Sequence, residues 1–460
     1  MGIESVIGSP GTGKTHHIEM DILENGSEYT YITYNRSMAA QARERLNSKK
    51  DATGTLHSII AQELGLHDFL APKDLAEFAR LYGLDYRIFN YDEWRHETGL
   101  ERFLRYYSYN INTMQKPRAV VGERLDIPYL TDQYNRYKER KEKLDYDDVL
   151  AEGYKYTGFS TDVLYVDEAQ DFTAIMWKIT DRWNASRKVI VGDDDQAIYR
   201  FMGADIDGYR AHIHAPKVLE KSYRISDRVR ELADSVLGPA RKIPKHYHGV
   251  GATALKNYNW QDFLKLQGSK AILCRTNFMA QKLSKLEDAI VKPINVEHKF
   301  SNGWTDRTLR LMDIIGKMPN ITAEEYQYLV KYTPAGMWVR GTKAKILKTP
   351  QLFTYDKLKS ALRKIDIIER LLIHDEEKRK IIKWMGRDLP PVVYVDTMHS
   401  TKGLEFDNVI VAVDRPASIE IDDDERRLLY VALTRARKSL GFKHYKIYPG
   451  AYGMLKSYTR

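Results

Sequence analysis

Cysteine is almost absent from this sequence of 460 residues, which contains a single one, Cys274. An intrachain disulfide is therefore excluded, and no Cys/His spacing in the chain is typical of a zinc or iron–sulfur site. The sequence also lacks an apolar run long enough to cross a bilayer. Because the first strand is expected to begin at Ile3, we expect no signal peptide. The missing apolar run and the single cysteine lead us to expect no membrane partner and a reducing, cytoplasmic setting.

Internal repeats and low-complexity tracts are absent as well, and the composition is that of a globular protein. Hydrophobic residues make up 43% of the chain and charged residues 29%. A chain of this length is expected to form two or more domains. The net charge of +9 favours a nucleic-acid partner, although the same excess could serve solubility alone.

One stretch matches the pattern G-x-x-x-x-G-K-[ST] in full. It follows a short apolar run and precedes a predicted helix, which is the strand–loop–helix context of a phosphate-binding loop. We expect all its members to surround the phosphates of a nucleotide: Gly8, Ser9, Pro10, Gly11, Thr12, Gly13, Lys14 and Thr15. Lys14 would reach the β- and γ-phosphates, and the Thr15 hydroxyl would hold Mg²⁺.

Polar side chains follow two later apolar strands. Asp167 is expected to hold Mg²⁺, directly or through water, and Glu168 to orient and deprotonate the attacking water. Gln196 follows the next strand, where a neutral amide can sense the γ-phosphate. Tyr199 and Phe201 lie just beyond. They could stack nucleic-acid bases, and core packing is an equally supported alternative.

Two arginines of the predicted second α/β half, which begins at residue 213, are candidates for contacts with the γ-phosphate. Phosphoryl transfer concentrates negative charge on the non-bridging oxygens, which a bidentate guanidinium stabilises. Arg224 and Arg435 are the candidates. If both reach the phosphate loop, the nucleotide lies in a cleft between two halves of the chain.

The alternation of strands and helices predicts an α/β fold with parallel sheets flanked by helices. We predict two α/β halves, each interrupted by a mostly helical insertion. The first half would comprise residues 1–64 and 145–212, with its insertion at 65–144; the second would comprise 213–300 and 388–460, with its insertion at 301–387. The basic, tyrosine-rich helices of the first insertion could contact a phosphate backbone or could be a solvated helix face.

Taken together, these segments resemble the superfamily 1 helicases, specifically the UvrD/Rep/PcrA group. The resemblance follows the family's order over nearly the whole chain. It is carried by residues 8–15, 54–57, 144–148, 166–171, 191–199, 219–224, 398–406 and 426–436. It implies two RecA-like P-loop domains that sandwich ATP, with Mg²⁺ as the metal. The implied activity is that of a motor that moves 3′→5′ on single-stranded DNA and separates duplex.

The resemblance also implies partners and further site residues. The partners would be single-stranded DNA, junctions of single- and double-stranded DNA, and replication or repair proteins, with the chain acting as a monomer in a bacterial cell or a phage-infected host. Glu405 would contact the ribose or the Mg²⁺ shell. Asn35 and Arg36 match the segment that touches DNA and the nucleotide site. The DNA track would include Thr55, His57, His399 and Thr401.

The sequence departs from the family in three places. No glutamine-bearing segment that would read adenine precedes Ile3, so GTP is an alternative substrate. The arginine that the family carries two residues past its second aromatic is replaced in the run 199–204, which changes the expected coupling between the γ-phosphate and DNA. The second insertion is short for the family, so its subdomain is expected to be reduced.

Two alternatives to a DNA helicase stay open. The chain could be an RNA-directed motor of the same superfamily. It could also be a nucleic-acid-stimulated ATPase that translocates or loads partners without unwinding a duplex.

Overall fold

A computed structural model describes most of the chain. The described residues are 2–48, 52–86, 97–120, 122–286, 288–293, 304–318, 320–334, 337, 343, 347–348, 364–385, 387, 389–413 and 422–444. Within them, no helix is long and apolar enough to cross a membrane.

Strands and helices alternate along much of the chain. The strands are β1 Gly2–Gly8, β2 Tyr29–Thr33, β3 Thr53–Thr55, β4 Ser160–Asp167, β5 Asn184–Gly192, β6 Lys217–Leu219, β7 Lys221–Ser222, β8 His248–Gly249, β9 Ala254–Leu255, β10 Lys270–Cys274, β11 Ile290–Lys292, β12 Val392–Thr397, β13 Phe406–Val413 and β14 Ala436–His444. The first ten helices are α1 Lys14–Asn25, α2 Arg36–Leu46, α3 Leu56–Glu63, α4 Pro72–Leu81, α5 Gly99–Thr113, α6 Ile127–Lys141, α7 Tyr146–Lys155, α8 Ala174–Arg182, α9 Ile206–Ala211 and α10 Asp227–Leu237. The others are α11 Trp260–Lys265, α12 Asn277–Leu283, α13 Asp306–Lys317, α14 Ala323–Lys331, α15 Lys364–Arg370, α16 Asp375–Trp384 and α17 Asp423–Leu433.

The chain forms two compact units. The larger unit contains Met1–Asn257 and Thr401–Arg460, and the smaller unit contains Tyr258–Ser400. This division differs from the four-part domain arrangement expected from sequence, whose boundaries stay a prediction. One difference is local: residues 217–219, expected in the second half, form β6 and pair with β1 in the first sheet.

The main sheet of the larger unit has six strands in the order β3-β2-β4-β5-β1-β6, and every neighbouring pair is parallel. A parallel sheet is covered by helices on both faces, so its central strands carry buried apolar runs. Val6 and Val191 pack under α1 on one face. Leu164 and Ile190 pack with α3, α7 and α8 on the other. The predicted α/β class, with parallel sheets flanked by helices, is confirmed.

Three further strands of the larger unit run parallel to one another, with β14 between β13 and β9. The sequence predicts a helix from 425 to 437, but α17 ends at Leu433 and β14 begins at Ala436. The Thr434 hydroxyl donates to the Tyr430 and Val431 carbonyls at 3.0 Å, which satisfies carbonyls of the last helical turn. Arg435 therefore lies in the short connection between helix and strand.

Helices α4, α5 and α6 lie within residues 65–144, the range predicted as an insertion, and have an aromatic core of their own. Phe78, Phe103, Tyr134 and Tyr137 are buried in it. Lys138 is also buried and binds Asp145 and Asp148 at 2.8 and 2.7 Å. The central tyrosines and this lysine of α6 are thus core residues rather than a phosphate-contacting surface.

The smaller unit combines three parallel strands, with β12 between β11 and β10, and a cluster of helices. Helices α13 to α16 pack around a core that includes Trp304, Ile315 and Leu329. Glu377 is buried among these helices. It accepts hydrogen bonds from Thr305, Thr308 and Arg307 at 2.8, 2.7 and 2.6 Å.

The Glu377 carboxylate makes the stability of the smaller unit depend on pH. Burial alone would raise the pKa of Glu377, but the hydrogen bonds from Arg307, Thr308 and Thr305 lower it to about 2. A carboxylate with a lowered pKa stabilises the folded state at pH values above its ordinary pKa of 4.5. This stabilisation is lost as the pH falls towards 2. We predict that Glu377→Gln destabilises the protein by about 2 kcal/mol at pH 7, and that this deficit shrinks below pH 4.5.

The measurement is the midpoint of thermal unfolding as a function of pH. Glu376→Gln is the matched control, because Glu376 is the exposed neighbour and pairs with Lys380 along the helix. A deficit for Glu377→Gln that stays constant from pH 7 to pH 3, or that equals the control's, would contradict the assignment.

Candidate functional site

The loop between β1 and α1 is fixed by two glycines and by the segment after β6. Gly11 and Gly13 have φ of 75° and 86°, a left-handed conformation that strains residues with a Cβ. The Ser222 hydroxyl donates to the Pro10 carbonyl at 2.6 Å, and the Tyr223 N–H donates to the Gly11 carbonyl at 2.9 Å. Because α1 begins directly after the loop, the positive end of its dipole faces an anion bound there.

Lys14 is buried beneath this loop. Its ammonium donates to the Gly8 carbonyl at 2.8 Å and lies 3.5 Å from the Ser9 carbonyl. Phosphate oxygens are stronger acceptors than peptide carbonyls, since a charged acceptor roughly doubles the strength of such a bond. The side chain is therefore placed to exchange these carbonyls for a phosphate.

Asp167 is fully buried at the end of β4. Its carboxylate accepts from the Thr15 hydroxyl at 2.9 Å and from the Tyr31 hydroxyl at 2.7 Å. Burial, reinforced by the negative charge of Glu168, raises the pKa of Asp167 to about 6. A divalent cation would favour the ionised form, and a hydroxyl with a carboxylate is the hard oxygen donor set that Mg²⁺ accepts. Thr15 and Asp167 therefore fit the predicted metal.

Glu168 has an unusual backbone conformation. Its φ is 52°, which is uncommon for a residue with a side chain and is found most often where function requires it. Burial would raise its pKa, but the charges of Lys14 and Lys402 and a hydrogen bond from Gln170 lower it. Glu168 is thus ionised and held by the Gln170 amide, which also accepts from the Asp193 N–H at 2.9 Å.

Gln196 and Arg435 meet although 239 positions separate them in the sequence. The Arg435 guanidinium donates to the Gln196 side-chain oxygen at 2.8 Å and to the Val431 carbonyl at 2.9 Å. The Gln196 amide nitrogen donates to the Asp193 carboxylate at 2.7 Å. The C-terminal part of the larger unit is therefore joined to the end of β5.

Arg224 lies beside Arg435. It pairs with Glu405 at 2.7 Å, and it donates to the Thr434 carbonyl at 3.4 Å. Burial, followed by repulsion from Arg224, lowers the pKa of Arg435 to about 9, so the group remains charged at neutral pH. Two guanidinium groups therefore lie side by side. Among the described residues, the hydrogen bonds of Arg435 do not include one to a carboxylate. This arrangement favours a bound anion.

These groups line one cavity of about 420 Å³. Most of the residues predicted for the nucleotide line it: Pro10, Gly11, Thr12, Gly13, Lys14, Thr15, Glu168, Gln196, Arg224, Glu405 and Arg435. Residues that sequence reasoning did not assign line it as well: His16, Met38, Gln41, Ala42, Arg45, Gly403 and Leu404. The structure thus brings the predicted lysine, carboxylate, amide and arginines together.

Arg36 does not line this cavity. It lies in a second cavity, of about 390 Å³, with Thr55, His57 and Tyr146. The His57 and Tyr146 rings stack at 4.2 Å, and the Arg36 guanidinium lies 5.0 Å from the Tyr146 centroid. Burial, with the charge of Arg36, lowers the pKa of His57 to about 3, so its imidazole is neutral.

Two of the predicted nucleic-acid residues serve as helix caps. The Asn35 side chain accepts from the Ser37 N–H at 2.8 Å at the start of α2. The Thr55 hydroxyl accepts from the Ser58 N–H at 3.2 Å at the start of α3. Such caps satisfy backbone donors that the first helical turn leaves free. Thr55 also lines the second cavity, whereas Asn35 is not among its lining residues.

The remaining predicted residues lie in different surroundings. Tyr199 stacks on Tyr34 at 5.5 Å, whereas Phe201 is 57% exposed. Thr401 is fully buried in the larger unit, and His399 belongs to the smaller unit. The core-packing alternative therefore describes Tyr199 better than Phe201.

Lys402 was not among the residues predicted from sequence, although it lies in the segment 398–406 that carries part of the resemblance. Lys402 is buried and pairs with Asp171 at 2.6 Å. It also donates to the Gln196 backbone carbonyl and lies 5.1 Å from the Tyr199 centroid. No local pattern indicated this role, because its partners Asp171 and Gln196 are 231 and 206 positions away in the sequence.

Comparisons with known proteins agree with this geometry. A family described as an AAA domain matches residues 2–202, and a family described as UvrD-like helicase C-terminal domain matches residues 392–442. The chain is 25% identical over 304 residues to the F-box DNA helicase protein 1 of Schizosaccharomyces pombe. That match covers 61% of this chain and 33% of the relative. These matches support a UvrD/Rep-like helicase of superfamily 1.

A second curated helicase matches over a similar share of the chain. The ATP-dependent DNA helicase UvrD2 of Mycobacterium bovis is 25% identical, over 60% of this chain and 46% of that protein. The chain thus spans less than half the length of these curated relatives. A solved arterivirus nonstructural protein 10 helicase in complex with DNA has a TM-score of 0.38 and 14% identity, over 99% of this chain and 63% of that one.

Substitution of Gly11 tests how tightly the phosphate-binding loop packs against the segment that carries Arg224. A Cβ at Gly11 would overlap Arg224 Cβ and lie 3.1 Å from the Arg224 nitrogen. Gly26 also has a positive φ, of 60°, but a Cβ there meets nothing within 4 Å. Gly26→Ala should cost about 1 kcal/mol from backbone strain alone, and Gly11→Ala about 2 kcal/mol more from overlap.

The free energy of unfolding in urea measures both losses. Equal losses for the two variants would show that the contact between the loop and the Arg224 segment is loose.

Proposed function

We propose that this chain is an ATP-dependent DNA helicase or translocase that moves 3′→5′ on single-stranded DNA. The observation that carries the proposal is the single cavity that holds Lys14, Glu168, Gln196 and two arginines. A phosphate-binding lysine, an ionised carboxylate and guanidinium groups are the parts that hydrolysis of a γ-phosphate requires. The matches to UvrD/Rep-like helicases support DNA as the partner.

In the proposed reaction each residue has one task. Thr15 and Asp167 would hold Mg²⁺, which supplies positive charge at the β- and γ-phosphate oxygens. Lys14 and the loop bind the phosphates. Glu168, ionised and fixed by Gln170, orients the attacking water and accepts its proton. Arg224 and Arg435 stabilise charge that builds up on the γ-phosphate.

Gln196 is the proposed sensor of hydrolysis. Its side-chain oxygen accepts from Arg435, and its backbone carbonyl accepts from Lys402, which lies over the Tyr199 ring. A γ-phosphate that binds Arg435 competes with the Gln196 oxygen for the guanidinium. Loss of the phosphate would return Arg435 to Gln196 and shift the segment that carries Tyr199.

The second cavity is the proposed contact with single-stranded DNA. Arg36 and Arg43 supply cationic groups, and His57 stacked on Tyr146 supplies an aromatic surface, with 46% of Tyr146 exposed. Cations that follow the backbone and rings that stack bases bind single strands with little sequence preference. Because its imidazole is neutral, His57 would offer the DNA a hydrogen bond rather than a positive charge.

Substitutions in the nucleotide cavity test the chemistry. Lys14→Ala should abolish steady-state ATP hydrolysis without changing the unfolding temperature, because the side chain binds only loop carbonyls. Glu168→Gln should keep ATP affinity within about threefold and lower kcat by at least about a hundredfold. Glu24→Gln on the exposed face of α1 is the control. Normal turnover by either site variant would contradict its role.

Substitutions in the second cavity test the DNA contact by their salt dependence. Arg36→Ala should weaken binding of an oligo-dT strand and reduce the slope of log K against log salt by about 0.7. Tyr146→Ala should weaken binding by about 1–3 kcal/mol with the slope unchanged. Affinities measured by fluorescence anisotropy at four salt concentrations separate the two. Unchanged affinity in both variants would remove this cavity from the DNA path.

A strand-separation assay tests the activity as a whole. Duplexes with 3′ or 5′ single-stranded tails, of DNA or RNA, are incubated with ATP or GTP. Separation of the 3′-tailed DNA duplex with ATP supports the proposal. Displacement of streptavidin from a biotinylated strand without duplex separation would favour a translocating or loading ATPase, and stimulation by RNA alone would favour the RNA-directed motor.

A further inference from the structure

Three consecutive carboxylates lie buried directly after β5. Asp193, Asp194 and Asp195 are at most 1% exposed. The Lys245 ammonium lies among them, at 2.7 Å from Asp193, 2.6 Å from Asp194 and 2.9 Å from Asp195. The Lys245 side chain is itself only 1% exposed. A cation is therefore already present at the centre of this cluster, so the carboxylates do not form a metal site.

Two arginines also approach the cluster. Arg210 binds Asp194 at 3.1 Å, and Arg241 binds Asp195 at 2.9 Å. Both are shared with carboxylates outside the cluster, Asp207 and Asp234. Within the described residues, Lys245 is the cation that contacts all three carboxylates. The other donors to the Asp193 carboxylate, in the part of the chain that the structure describes, are the Asp195 N–H and the Gln196 amide, so Lys245 is its charged donor. Burial would raise the pKa of Asp193, and the charge of Lys245 lowers it instead.

Asp193 connects this cluster with the nucleotide cavity. One of its oxygens accepts from Lys245, and the other accepts from the Gln196 amide nitrogen at 2.7 Å. An ionised carboxylate only accepts hydrogen bonds, so it binds the nitrogen end of the amide and turns the oxygen end towards Arg435. The Asp193 N–H also donates to Gln170, which holds Glu168.

We propose that Lys245 is a positioning residue of the nucleotide site, which acts through Asp193 to fix the orientation of the Gln196 amide. The inference rests on the proposed hydrolysis and adds to it a residue outside the cavity. If Lys245 is removed, Asp193 loses its cation and the Gln196 amide is free to turn. Turnover then falls, whereas the loop that binds the phosphates is unaffected.

A double-mutant cycle on ATP hydrolysis by the full chain separates positioning from simple stabilisation. Lys245→Met should lower kcat about tenfold or more while KM for ATP stays within about twofold. Gln196→Ala should lower kcat comparably. If Lys245 acts through Gln196, Lys245→Met in the Gln196→Ala background lowers kcat no further. Multiplicative losses would overturn the proposal.

Two further variants distinguish a loss of turnover from a folding defect. Lys242→Met removes a lysine three positions away that is 50% exposed, and its kcat should equal that of the wild type. Lys245→Met combined with Asp194→Asn restores the charge balance without touching Gln196. This double variant should regain the unfolding temperature and retain the kcat defect.

The outcomes distinguish this inference from the function on which it rests. Recovery of both stability and kcat in the charge-balanced variant, or failure of both Lys245 variants to fold, would assign Lys245 to stability alone and overturn the inference. Absence of ATP hydrolysis in the wild-type chain would instead overturn the proposed function, and the inference with it.

Discussion

The hydrogen bond from the Arg435 guanidinium to the Gln196 side chain is the contact on which the site depends. Both residues are at most 4% exposed, so neither can exchange its partner for bulk water without a rearrangement. The bond joins the connection between α17 and β14 to the end of β5. Through Asp193 and Gln170 it reaches Glu168, so the carboxylate and the arginine belong to one network.

Local patterns predicted the part of the site that is local in sequence. The phosphate loop carries its own glycines and precedes its own helix, so its structure follows from neighbouring residues. Asp167 and Gln196 could be predicted to approach it because parallel strands end at one edge of a sheet. The α/β class followed for the same reason, since apolar strands alternate with helices along the larger unit.

The rest depends on contacts that no local pattern encodes. The short β6 could not be assigned to the first sheet, because three residues give no information on which strand they pair with. Arg36 follows the second strand, yet its side chain lies over Tyr146 in another cavity. Lys245 lies in a segment with no motif, and its role is visible only once the three aspartates surround it.

The central claim is that the guanidinium groups of Arg224 and Arg435, both distant from the phosphate loop in sequence, complete the pocket that this loop begins. Binding of ATPγS and of ADP to Arg435→Ala, measured by titration calorimetry, tests it most directly, because the ratio of the two affinities cancels any general loss of fold. The account predicts that affinity for ATPγS falls at least about tenfold more than affinity for ADP. Equal losses for both nucleotides would contradict it.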